Sequence, residues 1–386
     1  MAVPIQYNIR NLFVRKVSTS MTVAGIALVV STFVSLMALV TGLQRTLVEA
    51  GDPRNVILMR KGGISEAASA LTMEQYTIVR HAQELAPDGD HDTLASPELA
   101  QQVLLQRKDG KKANVLIRGV RPVGFRVHDR VRVAAGRPLA ARSGQILVGK
   151  AVSERYKGLA LGDTLRFGRR DWPVVGVFEE GGSAHESEIW ADADDLMGDL
   201  KRTYFNSMTA RLRDPSLAAS LSSRLDADPR LNLDAKTETE YYADQAEGAR
   251  WMRVLGLGIA LVMAIGAVFA AMNTMYAAIG SRTKEIGTLR ALGFSRGAIL
   301  ASFMLESVLL ALPGGILGCI LAWPLNGLRS GTINMASFSE VMFEFTITPR
   351  ICLEVVGFAV LMGVVGGFLP ARRAATLPIL TALREL

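Results

Sequence analysis

Arg282-Thr283-Lys284-Glu285-Ile286-Gly287-Thr288-Leu289-Arg290-Ala291-Leu292-Gly293 is a short, charged, helix-forming run between two long apolar stretches, Val254 to Ile279 and Ala298 to about Leu325. Each flank is as long as the ~20 apolar residues that cross a bilayer as a helix. The run between them reads as a tight loop joining two membrane spans. Its basic excess, Arg282, Lys284, Arg290 and Arg296 against Glu285 alone, places it on the cytoplasmic face. A loop that only had to turn needs no stiff amphipathic helix, so this one reads as a docking element.

Outward from it, Thr22 to Leu43 and Ile351 to Leu369 complete a set of four apolar stretches, whose only charges are Glu306 and Glu354. The first stretch follows a basic start but is longer than the ~7–15-residue core of a cleaved signal, which favours a span. Gln44 to Arg250 carries thirty Lys/Arg and thirty Asp/Glu, so the net charge of +7 lies wholly on the spans and their flanks. Arg10, Arg15 and Lys16 precede the first span, and Arg372, Arg373 and Arg384 follow the last. Both termini therefore read as cytoplasmic, with Gln44–Arg250 and the short loop Asn326–Arg350 outside a plasma (inner) membrane. A basic balance of this kind describes anchors facing anionic lipid and gives no reason to expect nucleic acid.

The fold class expected is an α-helical membrane protein with four transmembrane helices and a large extracytoplasmic α+β domain. Residues 1–43 hold the N-terminal helix and first span, 44–253 the external domain with its stalk, and 254–386 the remaining three spans with the charged helix at 282–295. Within the external part, Asn55–Arg60 reads as a strand, Met73–Leu85 as a helix and Val103–Arg107 as a strand. The pattern returns as Ser207–Leu212, Leu217–Ala227 and Leu231–Ala235, with Asp214-Pro215 supplying an N-cap and first-turn proline. Two strand–helix–strand units at the ends of one insert suggest a split α+β sandwich. Between them, turns at Asp109-Gly110 and Gly168-Arg169, the strand pair Thr164–Phe167 and Trp172–Phe178, and Ile146–Val148 with a helix to Lys157 suggest an inserted β-rich subdomain. Thr237 to Arg253 reads as a polar helical stalk.

Few motifs carry chemistry. Gly144-Gln145-Ile146-Leu147-Val148-Gly149-Lys150-Ala151 approaches a phosphate-binding loop, but Ala151 replaces the Ser/Thr that would hold magnesium. Strand then helix is the better reading, so no nucleotide site or cofactor is expected. His81, His91, His128 and His185 stand apart without metal-ligand spacing, so no metal site or catalytic set is expected either. Gly181-Gly182-Ser183-Ala184-His185-Glu186-Ser187-Glu188 reads as a flexible loop rather than a ligand seat. Arg107-Lys108-Asp109-Gly110-Lys111-Lys112 reads as a solvated hairpin tip. Cys319 and Cys352 lie in spans, which leaves no disulfide framework outside.

The spans are rich in small residues at helical spacing: Gly314 with Gly318, Gly363 with Gly367, Ala27 with Ser31 and Ser35, and Gly266 with Ala270. Such stripes let helices approach closely in lipid, with packing inside one chain as the default use. Glu306 is expensive in a membrane and is expected to bond Asn273 or Thr274, since no buried Lys or Arg partner is visible.

Taken together, these residues resemble the MacB/FtsX-type ABC transporter permeases, LolC-type lipoprotein-releasing permeases among them. The likeness lies in the order of one span, a large external domain and three spans. It also lies in the run Arg282 to Gly293 continued by Phe294-Ser295, in Phe303-Met304-Leu305-Glu306-Ser307, and in Gly314-Gly315-Ile316-Leu317-Gly318. Pro370-Ala371-Arg372-Arg373-Ala374-Ala375, Leu377-Pro378-Ile379 and Ala382-Leu383-Arg384 fit the family tail. Gly119-Val120, Gly136-Arg137-Pro138-Leu139, and Gly162-Asp163 with Val174-Val175-Gly176-Val177 resemble its periplasmic core domain.

The resemblance implies a permease without catalytic residues of its own. Two copies, as a homodimer or a heterodimer with a paralogue, would pair around spans one and two. Two subunits of a separate ABC ATPase, binding ATP and Mg²⁺, would dock on the coupling residues Arg282, Lys284, Glu285, Ile286, Gly287, Leu289, Arg290, Leu292 and Gly293. Ile286, Leu289 and Leu292 would make the apolar contact. The chain starts about twenty residues before span one, and the ATPase is therefore expected on another polypeptide. Mechanical work outside the membrane would export or extract a lipid, lipoprotein or hydrophobic toxic compound, with a periplasmic adaptor or lipoprotein as a further partner. The alternative is an FtsX-like signalling scaffold acting on a cell-wall hydrolase.

Overall fold

Lipid offers the backbone no hydrogen-bond partners, so an apolar run of span length must satisfy its own as a helix. The computed structural model describes residues 10, 14, 16–48, 50–89, 92–247, 250–334 and 337–379. Arg15, His91, Ala382, Leu383 and Arg384 lie outside the described residues. Four helices are long and apolar enough to cross a membrane: α1 (Lys16–Val48), α7 (Arg250–Gly280), α9 (Arg296–Ala322) and α10 (Pro349–Thr376). Local signals set their ends. Ser295 accepts from the Ala298 amide to cap α9, and Thr348, followed by Pro349, accepts from the Ile351 amide to cap α10.

By packing, the chain divides into two units: Gly42–Arg250 with Arg329–Glu344, and Met1–Thr41 with Trp251–Leu328 and Phe345–Leu386. In the helical unit the glycine stripes set how closely helices approach. A Cβ on Gly318 would stand 2.3 Å from Val30 and one on Gly314 2.8 Å from Ile26, so this stripe of α9 seats α1. On α10, a Cβ at Gly363 would stand 2.6 Å from Ala311 and one at Gly367 2.3 Å from the Ser307 hydroxyl, both on α9. These stripes serve packing inside the chain. Gly266 on α7 has nothing within 4 Å of its Cβ direction, and Val262, Ile265 and Phe269 around it are exposed.

The other unit is α+β. Its strands are β1 (Asn55–Arg60), β2 (Ala95–Gln106), β3 (Lys112–Val120), β4 (Arg132–Gly136), β5 (Ile146–Gly149), β6 (Thr164–Phe167), β7 (Arg170–Glu179), β8 (Glu188–Asp192), β9 (Ser207–Arg211) and β10 (Leu233–Thr237). Its helices are α2 (Met73–Val79), α3 (Lys150–Arg155), α4 (Ala193–Leu200), α5 (Ala218–Ala227) and α6 (Glu238–Glu247). These ten strands form one mixed sheet in the order β10-β1-β9-β2-β3-β8-β5-β7-β4, with β6 on β7. The chain ends interleave as the split arrangement requires, β1 pairing antiparallel with both β9 and β10. The β-rich middle continues this sheet, because β2 and β3 are long enough to serve both parts. Several elements differ from expectation. β2 begins at Ala95, eight residues ahead of the strand read at Val103–Arg107, and β10 spans Leu233–Thr237 rather than Leu231–Ala235. α2 stops at Val79, and the chain then turns so that Leu85 bridges Leu212. Asp214 caps a short 3-10 turn, Pro215–Leu217, from which α5 starts at Ala218. The hairpin β11 (Arg329–Ile333) and β12 (Glu340–Glu344), within the range read as the three-span part, belongs to this unit. There the buried Glu340 accepts from Arg107 and Arg155, 3.3 and 2.8 Å away, and from the Tyr156 hydroxyl.

Candidate functional site

The charged run folds as α8 (Thr283–Ala291) and stops where Gly293 takes φ +96°, a left-handed conformation that favours glycine. One face of α8 is bolted to its own unit. Ile286 is 1% exposed among Met275, Ile279, Ile299 and Phe303. Gly287 is buried and Leu289 half-buried on the same side. The guanidinium of Arg290 donates to the carbonyl of Ala375 on α10 at 2.6 Å. Arg282, just before the helix, is buried and donates to both oxygens of Glu306 at 3.3 and 3.1 Å, to Glu285 at 3.3 Å, and lies over the Phe303 ring.

Three expectations change here. Ile286 cannot supply contact to a partner, because it is already spent inside the chain. Arg282 and Arg290 act as internal anchors. Glu306 pairs with Arg282 rather than with Asn273 or Thr274: Asn273 is exposed in the single chain, and Thr274 is hydrogen-bonded by the Thr22 hydroxyl of α1. The cation that pairs with Glu306 comes from the loop before α8, outside the apolar runs. The remaining face of α8 is exposed, with Lys284, Glu285, Thr288 and Leu292, the last 67% accessible.

The α+β unit holds a second polar centre that sequence reading missed. Arg118 of β3, 3% exposed, bonds Glu66 at 3.0 Å, Glu98 at 2.7 Å and Glu188 at 2.7 Å. His128 and His185, far apart in sequence, lie with ring centroids 5.0 Å apart. His128 Nε2 donates to Glu98 Oε1 at 2.9 Å, and His185 Nδ1 to Glu180 Oε2 at 2.6 Å. Glu238, the first residue of α6, accepts at Oε2 from the Asp52 amide and from Asn55, and its Oε1 lies 3.9 Å from His128 Nδ1. Tyr242, one turn further along α6, sets its hydroxyl 2.9 Å from His185 Nε2.

The electrostatics follow from burial against pairing. Burial pushes the Glu180 carboxyl up, but His185 and Ser183 outweigh it and hold it at about 2. Burial lowers the His185 imidazole, and the Glu180 carboxylate reverses this and lifts it to about 9. Glu98 is likewise held low, against burial, by His128 and Arg118. Glu238 is raised, because burial outweighs its neighbours. The segment read as a flexible loop is therefore part of the core: Ser183 to Glu188 is buried, and only Gly181 and Gly182 are exposed, at positive φ. The Glu186 carboxylate accepts from the Glu180 and Gly182 amides at 2.7 and 2.8 Å and so closes the turn. One signal was legible: Arg118 interrupts the otherwise apolar run Val115-Leu116-Ile117.

No phosphate cradle forms at Gly144–Ala151. Ile146–Gly149 is a fully buried strand, and the Lys150 ammonium donates to Glu179 at 2.9 Å. A small cleft lies over Arg118, lined by Glu66, Glu188, Tyr241, Tyr242 and Asn334, with room for ordered water.

Comparison with known proteins places these features. The MacB-like periplasmic core domain matches residues 19–228, and the FtsX-like permease C-terminal domain matches residues 257–379. The macrolide export ATP-binding/permease protein MacB of Burkholderia cenocepacia (strain HI2424) is 25% identical over 95% of this chain and 55% of its own length. The protein of that name from Shewanella sp. (strain W3-18-1) is 28% identical over 95% and 58%. The chain thus spans between half and two thirds of the length of these relatives. Among solved structures, the periplasmic region of MacB from Actinobacillus actinomycetemcomitans superposes with a TM-score of 0.36 at 13% identity, covering 49% of this chain and 91% of that one. The extracellular domain of the transporter YknZ from Gram-positive bacteria gives 0.36 at 15%, covering 47% and 99%.

Proposed function

This chain belongs to the MacB/FtsX-type family of ABC transporter permeases, and we propose that it couples ATP hydrolysis by a cytoplasmic ABC ATPase to movement of its extracytoplasmic domain. The observation that carries this reading is the two-faced α8. Its inner face is locked to the helical unit by Ile286, the Arg282–Glu306 pair and the bond from Arg290 to Ala375. Its outer face exposes Lys284, Thr288 and Leu292 to solvent, along with Glu285, which also accepts from Arg282. A helix so fixed cannot shift alone, so force applied to its outer face passes into the spans. Bistable packed elements transmit such shifts better than soft ones do.

ATP and Mg²⁺ sit on the ATPase in this reading. Two permease copies meet through the uncovered face of α7 around Gly266, and two ATPase subunits serve the pair. The cargo class is a lipid, lipoprotein or hydrophobic toxic compound, as the family resemblance implies. The test is whether Glu285→Lys and Leu292→Asp permeases insert normally yet lose ATPase binding and stimulated hydrolysis. Normal complex formation and coupling in both variants would refute the docking role. The orientation is tested separately: Gly168→Cys should react with an impermeant thiol reagent in intact cells, and Ser281→Cys only after lysis.

A further inference from the structure

We propose that His128, His185 and Glu238 bind a divalent transition-metal ion, Zn²⁺ foremost, and that this ion pins the start of α6 to the sheet domain. One ligand atom from each of the three lies within 4.8 Å of the others, and all three residues are buried.

Three features distinguish this cluster from an ordinary buried salt bridge. First, every candidate ligand is held from behind. Glu98 holds His128 at Nε2, Glu180 holds His185 at Nδ1, and the Asp52 amide and Asn55 hold Glu238 at Oε2. A carboxylate behind each imidazole is the outer arrangement that orients metal-binding histidines and raises their basicity. Second, one inward pair is left poorly matched, although His185 Nε2 meets the Tyr242 hydroxyl at 2.9 Å. His128 Nδ1 and Glu238 Oε1 stand 3.9 Å apart, too far for a hydrogen bond but close to the separation of two ligands on one ion. A pair as wide as 4.8 Å must close by roughly 1.5 Å to reach the ~3.3 Å between two ligands of a tetrahedral zinc, a side-chain adjustment. Third, charge is unbalanced. Glu66, Glu98, Glu180, Glu188 and Glu238 are all buried here, and Arg118 is their one buried permanent cation among the described residues. A dication offsets part of that excess without the protons that the imidazoles otherwise carry.

The ligand set selects the metal. Two imidazoles and one carboxylate suit zinc and its first-row neighbours better than calcium or magnesium, which take oxygen ligands. Tyr242, 2.9 Å from His185 Nε2, stands beside the fourth position of a tetrahedral site. The proposal stands apart from the ATPase-docking role of α8, since it concerns only residues of the α+β unit.

The test uses the full chain, without a histidine tag, purified in detergent and stripped of metal. After dialysis against Zn²⁺ it should retain one zinc per chain, and its thermal unfolding should rise by roughly 5 °C or more. Co²⁺ should give the intense visible bands of a tetrahedral site, abolished by Zn²⁺. Glu238→Gln and His128→Gln should lose the stoichiometric metal, and Glu180→Gln should weaken it about 10–100-fold. Circular dichroism checks that the variants fold. Retention of the metal by folded Glu238→Gln and His128→Gln overturns the proposal. Should these variants not fold, the wild-type chain decides alone: no retained zinc, or only the weak bands of octahedral Co²⁺, overturns it.

Discussion

Arg118 in the sheet domain and Arg282 in the helical unit are both buried, and they are held in opposite ways. Arg118 meets three carboxylates, two of them, Glu98 and Glu188, on strands β2 and β8 beside its own strand β3. Arg282 meets one buried carboxylate, Glu306, and one largely exposed one, Glu285. A sheet can surround a charge, because neighbouring strands present side chains at ~5 Å spacing on the same face. A helical bundle presents mostly apolar side chains, so fewer polar groups surround a charge there. The domain's centre is thus a buried cluster shared between strands, whereas that of the bundle is a charge pair, Arg282 with Glu306, at the root of α8.

Five single variants and one double variant test this difference, from the largest expected effects on stability to the smallest. Arg118→Met leaves three buried carboxylates facing one another, and should cost at least about 3–5 kcal/mol, read as loss of the domain's cooperative thermal unfolding. A modest loss would show that the cluster tolerates protonation in place of its cation. Glu306→Leu removes the buried carboxylate that faces Arg282 and should cost about 3 kcal/mol in detergent stability, while Arg282→Met with Glu306→Leu should recover most of it, as replacing both members of a buried pair often does. A double variant no better than the single one would show that Arg282 matters through other contacts.

Gly318→Val drives a side chain into Val30 and should cost about 1–3 kcal/mol of bundle stability. Gly266→Val meets open space, so the single chain should keep its stability, and a change in oligomeric state by light scattering would report a second copy on α7. Leu292→Asp should change thermal stability by no more than about 0.5 kcal/mol, because its side chain is exposed. A larger drop would mean that both faces of α8 are packed.

The fold was largely legible because its strongest signals are local. Apolar length marks a span, and Lys/Arg placement suggests its sidedness. The split sandwich showed through the repeated strand–helix–strand pattern. The site was legible only in part. α8 announced itself as a charged run between spans, but which of its faces points inward depends on where α9 and α10 pack. That is why Ile286 and Arg290, read as partner contacts, proved to be internal anchors. The histidine cluster was illegible, since His128, His185 and Glu238 lie 57 and 53 residues apart along the chain. Pattern reading cannot join them before the sheet is assembled.

Sequence alone therefore determined the four apolar helices, the α+β character of the insert and the charged helix between two spans, because hydropathy period and capping residues act within a few turns. Tertiary structure decided everything that depends on distant groups meeting. It spent Arg282 on Glu306, turned the glycine stripes of α9 and α10 inward, and made the Ser183–Glu188 segment a buried polar core. Burial raises the energy of an unpaired charge, so the identity of the partner matters most where the chain is most folded, and least of that is written locally.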